Sequence, residues 1–277
     1  MTRRALAGAG LAVWAHPAAA AVTDLPLELS GRAVQGGFLV GRTLPLASIE
    51  LDGEPVGRAS DRGMFVVGFD RDAEAQAAIG VVADGRRTVR RVAIARGAFD
   101  VQRIDGLGRD QVSPSDPALL RRISAEGKLK ARGWAGRTEA THFEGGFTPP
   151  VVARTSARFG GQRILNGQPK RPHYGVDLAA GRGTPIRAPA GGRVTLAEPN
   201  LHFEGGLVLI DHGQGLIAAF LHMSRLDVRA GQEVARGAVI GAVGASGRAT
   251  GPHLCWRLKW RRRNLDPSLW LGPMQRV

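Results

Sequence analysis

The stretch Leu207-Val208-Leu209-Ile210-Asp211-His212-Gly213-Gln214-Gly215-Leu216-Ile217-Ala218-Ala219-Phe220-Leu221-His222-Met223-Ser224 reads as two apolar strands folded back on each other. Short apolar runs bounded by turn signals are the pattern of buried strands, and Gly213 and Gly215 supply the turn between them. His222 falls where the second strand gives way to a loop, a place where a rigid scaffold often presents functional side chains.

The pattern extends on both sides. Val194-Thr195-Leu196-Ala197 and Val239-Ile240-Gly241-Ala242-Val243 are strand-like, and Gly191-Gly192 and Gly205-Gly206 mark turns. From Gly145 onward the chain reads as an all-β domain that carries five of the seven histidines. Residues 22–105 hold a second set of short strands: Phe38-Leu39-Val40-Gly41, Ser48 to Asp52, Met64 to Phe69, Ala78 to Ala83 and Val89 to Ile94. Asp52-Gly53 and Asp84-Gly85 are hairpin turns. Strands at this spacing predict a small β-sandwich-like module, without catalytic side chains of its own, acting as a binding or spacer unit. Residues 106–146 differ. Ser113 or Ser115 is placed to cap a helix that Pro117 opens, and Leu119, Leu120, Ile123 and Leu129 follow a helical period until Gly133 and Gly136. The expected architecture is all-β: a small module at 22–105, a helical connector at 106–146 and a larger β domain at 147–277.

The 277 residues include 39 glycines and carry a net charge of +14, almost all of it from arginine. Genomic codon bias accounts for such a charge as readily as attraction to an anionic polymer does. Nucleic acid would be the first candidate polymer, but the start of the chain argues against it. Residues 1–21 read as a secretory signal. Arg3 and Arg4 form a basic start, an apolar run from Ala5 to Ala15 is too short to span a bilayer, and Pro17 precedes the small residues Ala18 to Ala21. The expectation is export to the periplasm or cell envelope, with no transmembrane segment in the mature protein and no nucleic acid partner. Cys255 is the single cysteine, so no disulfide forms within the chain, and a lone thiol in an oxidising compartment calls for burial or ligation.

Three short motifs can do chemistry. In His173-Tyr174-Gly175-Val176-Asp177, an extended chain puts His173, Gly175 and Asp177 on one face and turns Val176 and Leu178 to the core. In Gly251-Pro252-His253-Leu254-Cys255-Trp256 the same alternation pairs His253 with Cys255. The third is Phe220-Leu221-His222-Met223-Ser224. Neutral imidazole, carboxylate and thiolate are all zinc ligands, although Cys255 also reads as a small buried apolar residue and His222 as a structural histidine.

Taken together and in order, these motifs closely resemble the lysostaphin/LytM-type zinc metallopeptidases, with a duplicated-hybrid-motif fold. The resemblance runs from about Phe147 to Leu271 through Gly183 to Val194, Asp211-His212-Gly213-Gln214-Gly215, Leu221-His222-Met223-Ser224, Gly231 to Gly247 and Gly251 to Leu254. It implies a zinc metalloendopeptidase that hydrolyses peptide cross-links of bacterial peptidoglycan, its partners being the peptide stems. His173 and Asp177 would be metal ligands, and His222 and His253 the catalytic histidines that do not hold the metal. The family's last motif is His-x-His, and its second histidine is a ligand. Cys255 stands there instead, so the third ligand is either Cys255 or missing. The alternative is a degenerate member of the fold that binds peptidoglycan, or activates a separate envelope amidase, without cleaving. A lipoyl- or biotin-type carrier would need a lysine at a hairpin tip, and Lys128, Lys130, Lys170 and Lys259 all lie outside Gly181–Gly247.

Overall fold

The computed structural model describes residues 24–272 and 275–276; the expected signal at 1–21 lies outside them. An eight-stranded sheet organises the C-terminal part. Its central order is Gly192–Leu201, Gly205–Asp211, Leu216–Met223, Leu254–Trp260 and Val176–Ala179, with Glu233–Val234 and Arg154–Ala157 at the two ends and Arg263–Leu265 beside Leu254–Trp260. The two apolar runs around Gly213 are neighbouring strands, as their sequence predicts, with Asp211 opposite Ile217. Leu254–Trp260 pairs on one side with Leu216–Met223 and on the other with Val176–Ala179. Cys255 therefore lies in one row between Leu221 and Asp177.

The two faces of this sheet have different covers. Leu254, Trp256, Leu258 and Trp260 point into the main core and are at most 1% exposed. On the other face Leu196, Leu209, Ile217, Ala219, Leu221 and Cys255 form a second cluster, and Leu129 and Trp134 pack on it. Those two residues come from the helix Pro117–Trp134, which thus lies across the face that carries Cys255. Its cap is Asp116, whose carboxylate accepts from the Leu119 amide at 2.7 Å. This corrects the expectation for Ser113 or Ser115: with Pro117 at the first helical position, the residue directly before it is the one in cap geometry. The Ser113 hydroxyl donates instead to Gln168. The helix docks through Glu126 and Gly133, its buried residues, while Leu120 is 45% exposed. Glu126 accepts from the His202 amide and from Arg122.

Residues 28–93 form two antiparallel four-stranded arrays. One consists of Glu28–Arg32, Phe38–Arg42 and Met64–Gly68, with Gln275–Arg276 at its edge; the other of Glu54–Arg58, Ser48–Leu51, Gln76–Ala83 and Arg86–Ala93. Asp52-Gly53 and Asp84-Gly85 both have positive φ, as type I′ hairpin turns require. This module is not a detached bead. One cluster of buried residues runs from Leu25 to Trp270. Phe38 stacks on Trp270 with ring centroids 3.6 Å apart, and the Gln214 side chain donates to the Met64 carbonyl and accepts from the Val66 amide. Among the described residues, no helix is long and apolar enough to cross a membrane.

Candidate metal centre

His173, Asp177 and Cys255 converge, their ligating atoms all lying within 4.8 Å of one another. Asp177 and Cys255 are directly opposed across two antiparallel strands, which brings their side chains together on one face. His173 precedes the strand Val176–Ala179 and is held by backbone bonds to the turn before it: its amide donates to the Gly161 carbonyl, and its carbonyl accepts from Gly160, each at 2.7 Å. His173 Nε2 is 3.1 Å from Asp177 Oδ1 and 3.4 Å from Cys255 Sγ. All three residues are buried. Gly175 keeps this corner open, because a β-carbon there would sit 3.2 Å from Cys255 Sγ and 2.7 Å from Arg257 Cγ.

The donor set fits a metal ion. Asp177 Oδ1 is buried and faces His173 Nε2 at 3.1 Å without good hydrogen-bond alignment, a separation close to that of two donors on one ion. Burial alone would raise the Asp177 pKa. The neighbouring His173, His253 and Arg163 outweigh it and hold this carboxyl well below the usual range, so it stays ionised. Donors bound 2.0–2.3 Å from a tetrahedral ion lie roughly 3.3–3.7 Å apart, and a nitrogen, oxygen and sulfur set suits zinc better than magnesium or calcium.

Two more histidines close on the same point. His253 Nε2 is 3.9 Å from Asp177 Oδ1, and the His222 and His253 ring centroids are 4.7 Å apart. The loop Gly244–Gly247 orients both. Its Ser246 carbonyl lies 2.8 Å from His222 Nδ1, and its Gly244 carbonyl takes the His253 amide at 3.1 Å. His253 Nδ1 lies 2.8 Å from the Gly251 carbonyl. A carbonyl only accepts, so Nδ1 carries the proton in each ring and Nε2 is left with its lone pair. The Ser246 hydroxyl ties this loop to the strands, donating to Met223 and accepting from Gly206. Gly205 permits the approach, since a β-carbon there would fall 2.1 Å from Ser246 Oγ. His222 itself has φ +63°, a strained conformation for a non-glycine residue that persists only where its surroundings impose it. Burial lowers its pKa to about 4 despite the Ser246 bond, so the ring is neutral at physiological pH.

Two arginines that the sequence did not single out flank the cluster. Arg257 Nε donates to Cys255 Sγ at 3.5 Å, and Arg163 reaches within 3.8 Å of Asp177 Oδ2. Arg257 follows Cys255 by two residues on the same strand, so alternation would have placed it on the same face. Arg163 has no such local signal. Its strand Gln162–Leu165 is set by parallel pairing to Val101–Ile104, far away in sequence.

Two further histidines serve elsewhere. His202 meets the Asp110 carbonyl. His212 is fully buried, packs on Phe147 with ring centroids 4.8 Å apart, and bonds the Gly191 carbonyl through Nδ1. Burial lowers its pKa from 6.5 to about 4. An unfolded chain takes up this proton as pH falls through 6.5 and the native protein does not until about 4. The contribution of neutral His212 to stability is therefore complete above pH 6.5 and is lost progressively on the way down to 4. At about 1.4 kcal/mol per pH unit the loss approaches roughly 3 kcal/mol. His212→Asn, which keeps a donor for Gly191, should flatten this part of the pH dependence in urea-denaturation midpoints measured at pH 7.5 and 4.5. An unchanged slope would refute the assignment.

Residues 171–267, which include all five site residues, match the model of peptidase family M23. A crystal structure of an M23 peptidase from Pseudomonas aeruginosa is 30% identical and superposes with a TM-score of 0.66, covering 87% of this chain and 96% of that one. The chain belongs to peptidase family M23. Among curated proteins it resembles the peptidoglycan DD-endopeptidase ShyA of Vibrio cholerae, 40% identical over 95 residues that make up 34% of this chain and 22% of ShyA. It also resembles the DD-carboxypeptidase/endopeptidase Mpg of Neisseria meningitidis, 36% identical over 126 residues that make up 45% of this chain and 29% of Mpg. The chain thus matches less than a third of the length of either curated relative.

Proposed function

We propose that this chain is an exported zinc metalloendopeptidase that hydrolyses peptide cross-links of peptidoglycan, with His173, Asp177 and Cys255 holding the metal and His222 and His253 carrying out proton transfer. The observation that carries this reading is the convergence of three buried donor atoms within 4.8 Å, with His253 Nε2 3.9 Å from one of them and the His222 ring 4.7 Å from that of His253. Bound there, zinc would polarise water and the scissile carbonyl. The protein's own part follows from the site. His253 Nε2, beside the ligands, is placed to accept a proton from the attacking water and return it to the leaving amine. His222, with its proton committed to the Ser246 carbonyl, is placed to accept a hydrogen bond from that water at Nε2 and so to orient it. The substrate class rests on the DD-endopeptidases among its relatives.

The direct test incubates the zinc-loaded full chain with purified sacculi and with a defined cross-linked peptide dimer. Separation of the products should show chelator-sensitive conversion of dimer to monomer. A zinc-loaded protein that sediments with sacculi and releases no monomer would overturn the peptidase reading in favour of a binding-only role.

A further inference from the structure

We infer that Arg163, Arg248 and Arg257 form a subsite for a substrate carboxylate beside the metal centre. This inference rests on the peptidase reading of the site and names what that site selects. Arg163 and Arg257 are anchored at its two acidic ligands, 3.8 Å from Asp177 and 3.5 Å from Cys255. Arg248 closes the group from the loop after Ser246, with its guanidinium against the Phe203 ring and one nitrogen donating to the Gln111 carbonyl. The three are near enough for like charge to be felt: Arg248 is lowered by burial first and then by Arg163 and Arg257.

The local charge does not balance. Glu204 is engaged with Lys130 at 2.7 Å. Asp177 and Cys255 would give their charges to a divalent ion. Among the described residues, that leaves three guanidiniums with no carboxylate within hydrogen-bond distance. Arg163 is the clearest case. Its side chain is only 15% exposed, its Nε is buried without a hydrogen-bond partner, and its one carboxylate contact lies beyond hydrogen-bond distance. Guanidinium nitrogens held in this way are suited to a planar carboxylate, which they can bind through paired, charge-assisted hydrogen bonds. A peptide stem offers two such groups: the terminal carboxylate of the chain, and the free carboxylate on the diamino acid that forms the cross-link.

Binding separates this inference from cleavage. The probe is a fluorescent cross-linked peptide dimer whose scissile amide is reduced to an amine, prepared with both carboxylates free, with the terminal one amidated, or with the diamino-acid one amidated. Anisotropy titrations of the full chain should show that amidation at one of the two positions weakens binding about tenfold or more, on the scale of a lost charge-assisted pair, and that position identifies the group bound. Arg163→Gln and Arg248→Gln should weaken the free-acid dimer by a similar factor and leave that amidated form unchanged. Equal binding of all three dimers by the unaltered protein would overturn the subsite whether or not the variants fold, as would variants that weaken acid and amide forms alike. A protein that discriminates acid from amide but never cleaves retains the subsite and loses the peptidase reading. One that cleaves intact acid and amide dimers equally well retains the peptidase and loses the subsite.

Discussion

Replacing Cys255 by serine is expected to weaken zinc binding more than about 100-fold, the upper range for disturbing even the outer shell of a metal site, and to abolish cleavage with it. Cys255 is 1% exposed, opposite Asp177 in register and 3.4 Å from His173 Nε2. A serine hydroxyl is a far poorer ligand than a thiolate, and its shorter bond to Cβ draws the donor back from the shared point. Cys255→His should behave differently. Imidazole is the other good ligand at a zinc site, and because it is neutral it leaves more of the ion's positive charge to act on substrate. Gly175 provides room on one side, though the Arg257 contact to sulfur must be given up. The expected result is retained zinc with a higher kcat. Metal analysis after dialysis, with steady-state kinetics on a cross-linked peptide, checks both substitutions. If Cys255→Ser kept stoichiometric zinc, the thiol would be a buried bystander and the site would have two protein ligands from this set.

What could be read in the sequence, and what could not, follows the range of the interactions. The strands on either side of Gly213 were legible because a buried strand writes its whole pattern into adjacent residues. The same alternation set His173 with Asp177, and His253 with Cys255, on common faces. It did not reveal that Cys255 and Asp177 are opposed in register, since that depends on pairing between strands nearly eighty residues apart in the chain. The helix was legible, but its cap was not. Ser113, Ser115 and Asp116 all offer an oxygen, and only the geometry set by Pro117 selects among them. Its docking was hidden for a different reason. Glu126 is buried because it satisfies Arg122 and the His202 amide, and Gly133 because Leu196 and Leu209 come too close for any side chain. Neither fact leaves an apolar signature. The φ of +63° at His222 has no sequence mark either.

That conformation bears on the second large effect. His253→Ala is expected to lower kcat by about 10²–10⁴, the range for losing a positioned proton-transfer group, without lowering zinc content. The prediction rests on an asymmetry in the site. Ring nitrogens of His173 and His253 both face Asp177 Oδ1, but at 3.1 Å and 3.9 Å, and only His173 also meets the sulfur. We therefore assign His253, which lies outside the group of three donors, to proton transfer and not to the ligand set. Its Nδ1 is committed to Gly251, so the nitrogen that faces the site is the one free to take a proton. His222→Ala should also lower kcat with zinc retained, and for a related reason: its Nε2 is fixed by the Ser246 bond at the other Nδ1, and its ring lies 4.7 Å from His253. Two groups acting on one reacting water should not contribute independently, so the double variant should fall well short of the product of the single effects. The variants also differ in stability. His222→Ala empties a buried position and leaves the Ser246 carbonyl without its partner, a cost of about 1–3 kcal/mol, while φ +63° is borne by histidine and alanine alike. His253 is less buried, and its removal should cost less. Kinetics, metal content and urea midpoints on the three variants test the whole assignment. Zinc lost from His253→Ala would make that histidine a ligand, and a kcat unchanged in both single variants would remove proton transfer by this pair from the mechanism.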